Sequence, residues 1–108
     1  DFQHPAKGME LLLKCRHLAP IYGATTPIAP EREDRLVIER VPDILHMGHV
    51  HIHQIRRYRG VTLIASGSWQ SQTSYQRRLD IKPTPGIATI VDLSSLQTYT
   101  MDFKALSG

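Results

Sequence analysis

Short β-prone runs, separated by prolines, glycines and small residues, constrain this chain more than any other feature. Leu36-Val37-Ile38 is stopped by Pro42, and Asp43-Ile44-Leu45-His46-Met47 ends in Gly48. Gly60-Val61-Thr62-Leu63-Ile64-Ala65 runs into a small-residue turn, Ser66-Gly67-Ser68. Pro83-Thr84-Pro85-Gly86 precedes Ile87-Ala88-Thr89-Ile90-Val91, the strongest strand pattern, and Leu96 to Phe103 can pair with it as an antiparallel hairpin across Asp92 to Ser95. Ahead of these runs, Pro5 to His17 fits an amphipathic helix: Pro5 suits the first turn, and Met9, Leu12, Leu13 and Arg16 follow helical spacing. Gly8 within it costs about 1 kcal/mol relative to alanine.

Between helix and strands, residues 18–35 carry Pro20, Gly23, Pro27 and Pro30, which marks an ordered loop anchored by Ile21, Tyr22 and Ile28. Its charged run Glu31-Arg32-Glu33-Asp34-Arg35 reads as exposed and self-neutralising. The division is therefore helix over 1–17, loop over 18–35 and mainly strands over 36–108. One helix followed by four or five strands predicts an α+β or α/β half-domain built on a sheet.

At 108 residues the chain suffices for one domain with a modest core. No apolar run approaches the roughly 20 residues of a membrane span. The start, Asp1-Phe2-Gln3-His4, is not a signal peptide and has no methionine, so the chain reads as a piece of something longer. A net charge of +3 is compatible with nucleic acid without requiring it. The single cysteine, Cys15, excludes an internal disulfide, fits a reducing cytosol and is expected to be a buried structural thiol.

The chemistry is sought in Gly48-His49-Val50-His51-Ile52-His53, which holds three of the six histidines. On an extended backbone His49 and His51 point to one side, and neutral imidazole suits manganese, zinc, iron and nickel. Gly48 is expected to turn the chain sharply at the strand end. Bare His-x-His on a strand is more often structural than metallic, and two ligands do not complete a catalytic site, which needs about three. His53 is in phase with the pair, which allows a contact near the metals or with phosphate, but it lies outside the motif and a surface-loop histidine is the better reading. His46 is expected to be a satisfied core histidine, and Trp69 a core anchor. Arg56, Arg57 and Arg59, with Arg77-Arg78 and the interleaved Tyr58 and Tyr75, suit either phosphate contacts or, for Arg56 to Arg59, a solvated turn between two strands.

The run Val41 to Ile52 resembles the closing motif of the calcineurin-like metallophosphoesterases, in which a hydrophobic strand delivers Gly-His-x-His into a two-metal site. Three stretches, Leu12 to Glu33, Leu36 to Ile52 and Gly60 to Pro85, are similar to the small, exonuclease subunit of archaeal family D DNA polymerases, so the likeness covers nearly the whole chain. The resemblance implies the C-terminal half of a phosphoesterase β-sandwich. It also implies that His49 and His51 each hold one of two divalent ions, manganese being the expected metal, and that the reaction is 3′-to-5′ hydrolysis of DNA for proofreading. The implied partners are the large catalytic subunit and DNA, in the cytoplasm at the nucleoid, with no membrane.

The family site also needs an Asp-x-His, a Gly-Asp pair, an Asn-His pair and a further histidine, all upstream; none of these motifs is present here as such, and His4 is left unassigned. The resemblance thus assigns activity to the longer protein and implies that these residues alone are inactive. Two other readings stand beside it. A non-catalytic polymerase scaffold would have no need of both His49 and His51. A general metallophosphoesterase would not need the polymerase-like stretches Arg16 to Tyr22 and Trp69 to Arg77.

Overall fold

In the computed structural model, residues 2–21 and 29–106 are described. They form α1 (Pro5–Cys15), β1 (Ile44–Met47), β2 (Gln54–Tyr58), β3 (Val61–Ala65), α2 (Ser74–Arg78), β4 (Ile87–Val91), β5 (Thr98–Asp102) and α3 (Phe103–Leu106). This is a mixed α and β fold with one main helix and five strands in two sheets; the mixed class is as expected, and β1, β3, β4 and β5 fall on the predicted runs, whereas β2 falls on none of them. Among the described residues no helix is long and apolar enough to cross a membrane.

The first sheet has the order β1-β3-β2. β3 is parallel to β1, with Met47 opposite Ala65, and antiparallel to β2, with Gln54 also opposite Ala65. All five residues of β3 are buried, as a central strand requires. α1 covers one face: Met9 and Leu13 pack with Val61, Leu63 and Ala65, and Ile38, Leu45 and Tyr58 close the margin. Two polar ties fix the helix on β2. The Gln54 side-chain oxygen accepts from the Ala6 amide at 2.8 Å, and Arg56 Nε meets Glu10 at 2.8 Å.

α1 ends where Arg16 adopts a left-handed backbone (φ 52°), and the His17 amide returns to the Leu12 carbonyl at 3.1 Å. Arg16 then donates to the carbonyls of Ile38 and Glu39 at 2.8 and 2.7 Å. These bonds explain a correction. Leu36-Val37-Ile38 is not a strand of the sheet; it pairs with the segment leaving α1 through the single bridge His17–Val37. His17 also bonds Asp34 at 2.6 Å, and that hydrogen bond, with one from the Leu36 amide, holds the Asp34 carboxyl below its usual range. Arg35 pairs with Glu31 at 3.1 Å, so the charged run neutralises itself as expected.

Other expectations on side chains are corrected. Cys15 is exposed, because it lies roughly 200° around the helix from Leu13. Ile21 is exposed; Tyr22, Gly23, Pro27 and Ile28 lie outside the described residues. Trp69 is 70% exposed: it follows the bend after β3 and meets Phe103 edge-on at 5.2 Å instead of entering the core. The polar stretch before Pro83 contains α2, unforeseen, which a capping box of Thr73 and Gln76 starts.

β4 and β5 form the expected antiparallel hairpin. Ile90 and Tyr99, directly opposite one another, are each 50% exposed, so one face of this second sheet is apolar and uncovered. His53 links the two sheets. Its amide donates to Thr84 Oγ1 at 2.5 Å, and its Nε2 lies 2.7 Å from Thr89 Oγ1 on β4.

Two outcomes are expected. Leu63 is fully buried, so Leu63→Ala should cost roughly 2–5 kcal/mol in a denaturation experiment, whereas Leu93→Ala, at an exposed turn, should stay within about 0.5 kcal/mol. Burial lowers the His53 pKa below its ordinary value of 6.5. Below that value the unfolded chain binds the proton more readily than the folded one. The stability His53 supports is therefore complete above pH 6.5 and declines as pH falls towards its lowered pKa. Urea midpoints measured between pH 8 and pH 5 should fall on acidification, and His53→Asn should flatten that slope.

Candidate metal centre

β1 and β2 flank β3 on opposite sides, so the chain must cross the end of β3 to pass from one to the other. Residues 48–53 make that crossing, at the carboxyl ends of the parallel strands β1 and β3. In open sheets with parallel strands this end is where ligands are commonly bound. The gap is two strand spacings of about 4.8 Å, far less than six residues span when extended at about 3.3 Å each, so the link has to fold back on itself. His49 (φ 82°) and His51 (φ 64°) accordingly take left-handed conformations. Each such residue costs on the order of 1–3 kcal/mol, a kind of strain that tends to collect at functional sites.

The histidines, and not the glycine, therefore make the turn. Gly48 has no left-handed φ, and a Cβ there would meet only the Ser66 carbonyl, at 3.9 Å. His49 and His51 thus do not lie on the extended backbone that their spacing predicts, which would point them to one side. The glycine that the site does require is Gly67, where a Cβ would come within 2.8 Å of the Thr84 carbonyl oxygen. Three segments are stitched together here. The Thr84 amide donates to the His51 carbonyl at 3.1 Å, the Ser66 amide to the Met47 carbonyl at 2.8 Å, and the Gly86 amide to the Ser68 carbonyl at 3.0 Å.

Within this frame His49 is exposed and His51 half-buried. The Nδ1 atom of His51 is buried and has no hydrogen-bond partner among the described residues. An orphaned ring nitrogen is costly unless something outside the chain satisfies it. As donors, two imidazoles suit divalent first-row metals but fall short of about three protein ligands. Among the described residues no group of three or more histidine, cysteine, aspartate or glutamate side chains is placed to hold an ion. A centre at His49 and His51 thus needs ligands from elsewhere.

The neighbouring histidines have other duties. His46 is exposed, not a core residue: it pairs across with Ile64 on the sheet face away from α1, and its Nε2 lies 2.5 Å from Ser66 Oγ. It steadies the turn after β3. His53 is partly buried at the end of the crossing loop, and its Nε2 is engaged with Thr89 Oγ1.

The arginines do not form one patch. Arg56 to Tyr58 belong to β2, where a loop was one of the two expectations. Arg56 faces α1 and is paired with Glu10, whereas its neighbour Arg57 faces the other side of the sheet. Arg59 lies beyond the far end of β2, in the turn to β3, with its guanidinium 5.5 Å from the Tyr58 ring centre. Sequence reasoning missed Ser66, Gly67 and Thr84 as the residues that hold the histidine loop. The small-residue cluster at 66–68 was the available signal.

No protein-family model matches the chain. It is 56% identical over 86 residues to the DNA polymerase II small subunit of Archaeoglobus fulgidus, covering 80% of this chain and 18% of that protein. Against the protein of the same name from Pyrococcus horikoshii it is 51% identical over 101 residues, covering 93% of this chain and 16% of the relative. For Thermoplasma acidophilum the figures are 45% over 103 residues, 95% and 21%. The chain spans about a fifth or less of the length of these relatives. At this identity across most of its residues, the chain belongs to the family of archaeal DNA polymerase II small subunits, of which it represents one segment.

Proposed function

We propose that this segment is the C-terminal part of the 3′-to-5′ exonuclease subunit of an archaeal replicative DNA polymerase, and that it supplies the last two ligands of a two-metal phosphodiesterase centre. The observation that carries the reading is the buried Nδ1 of His51, unpartnered among the described residues, in a strained loop at the carboxyl end of β1 and β3. The likeness of Val41 to Ile52 to the closing motif of calcineurin-like phosphoesterases supports it.

In this reading His49 and His51 each bind one divalent ion, manganese being the expected metal, and further ligands come from outside this segment. The bound ions would supply the activated water and the charge stabilisation that phosphodiester hydrolysis requires. The contribution of this chain is positional. Gly67 lets the 66–68 turn approach Thr84, the Thr84 amide fixes the His51 backbone, and His46 holds Ser66. Together they hold the backbone of the loop that carries the two imidazoles, as a preorganised centre needs. The names of the relatives support a complex with a large polymerase subunit and work on DNA. A non-catalytic scaffold would leave the strain of His49 and His51 and the orphaned nitrogen without a role.

The test is manganese-dependent degradation of a 3′-labelled DNA strand by the full-length protein, alongside manganese binding by calorimetry. His49→Ala and His51→Ala should each lower the rate by at least about a hundredfold and weaken metal binding, with circular dichroism unchanged. Undiminished degradation and metal binding in both variants would remove the assignment. An inactive parent that binds no manganese would favour the scaffold.

A further inference from the structure

At the opposite end of the sheet from the histidine loop, α1 and the β2–β3 turn enclose a cleft of about 480 Å³. Four β2 steps of roughly 3.3 Å put it about 13 Å from the histidine loop along the strand. Leu13, Val41 and Val61 line its apolar side, and Val41 is 54% exposed. Its rim is cationic: Lys14, Arg16 and Arg59.

None of these three charges meets a carboxylate among the described residues. Lys14 Nζ and the Arg59 guanidinium both sit against the Tyr58 ring, 5.7 and 5.5 Å from its centre. Arg16 spends its donors on the carbonyls of Ile38 and Glu39, which fixes the guanidinium but leaves its charge uncompensated. Of the acids on the flanking elements, Glu10 is committed to Arg56, Glu39 meets Arg16 through its backbone, and Asp43, before β1, forms no ion pair with the rim among the described residues. Arg59 is also held in place by its turn. It has φ 48° and Gly60 φ 80°, the positive pair that a two-residue hairpin turn demands and that Asn-Gly usually fills.

We propose that this cleft is a docking site for an acidic segment of a partner protein, a short peptide carrying an apolar side chain flanked by carboxylates. Charge complementarity favours an anion, and the apolar wall favours an aliphatic or aromatic side chain beside it. A nucleic acid fits less well, because the Tyr58 ring that a base would stack on already carries Lys14 and Arg59. The site does not depend on the metal centre, and the two are separable by mutation.

The probe is a dye-labelled peptide of two leucines flanked by glutamates, followed by fluorescence anisotropy on the full-length protein. Binding is expected, weakening as salt rises. The exposed pair Lys14→Glu with Arg59→Glu should weaken it by about tenfold or more while circular dichroism stays unchanged. A peptide with lysines in place of the glutamates should bind the doubly reversed variant better than the wild type, which a merely structural loss would not produce. Absence of peptide binding by the wild type, binding unaffected by the charge reversal, or displacement of the peptide by a single-stranded oligonucleotide at equal concentration would each overturn the proposal.

Discussion

Everything near the histidines follows from one topological constraint: β1 and β2 lie on either side of β3, and six residues must connect them across its end. A chain that crosses so short a gap cannot stay extended. The strain falls on His49 and His51, which adopt left-handed backbones although they carry side chains. The same crossing places the loop against the segments leaving β3 and entering β4, so that Ser66, Gly67 and Thr84 become its supports. Position and rigidity thus have one origin. The loop is strained because it crosses, and it is held because it crosses where two other segments converge.

The energetic foundation beneath that loop is narrow. β3 is buried along its whole length, and Met9 and Leu13 of α1 cover one of its faces. The second sheet keeps an apolar face open at Ile90 and Tyr99, and the chain is broad and thin, 53 × 40 × 19 Å. Its radius of gyration of 15.8 Å exceeds the roughly 13 Å of a compact domain of about this size. Polar contacts therefore carry more of the organisation than in a well-filled core. Arg56 with Glu10, Gln54 with the start of α1, and His53 with Thr84 and Thr89 tie elements that hydrophobic contact alone leaves loosely related.

The charged residues divide by sheet geometry. Alternation along β2 sends Arg56 to the helix and Arg57 to the other side, and the turn carries Arg59 to the far end. Three arginines within four positions thus acquire three environments. The histidines divide likewise: His46 and His53 serve as hydrogen-bonding struts, while His51 retains a buried nitrogen with no partner among the described residues.

The sequence by itself determined the elements whose periodicity is strong and local. Proline at the first turn and apolar spacing at Met9 and Leu13 made α1 legible, and the β-branched runs made β1, β3 and the β4–β5 hairpin legible. It also singled out His49 and His51, because Gly-His-x-His within Val41 to Ile52 is a pattern that can be read without coordinates. Only the tertiary structure decided what Leu36-Val37-Ile38 pairs with, that Cys15, His46 and Trp69 face outward, and that His53 bridges the sheets. It alone put positive φ on the histidines instead of on Gly48. The physical reason is range. Strand and helix propensity act between near neighbours, whereas burial, strand order and strain at a crossing depend on segments tens of residues apart, whose meeting no local pattern records.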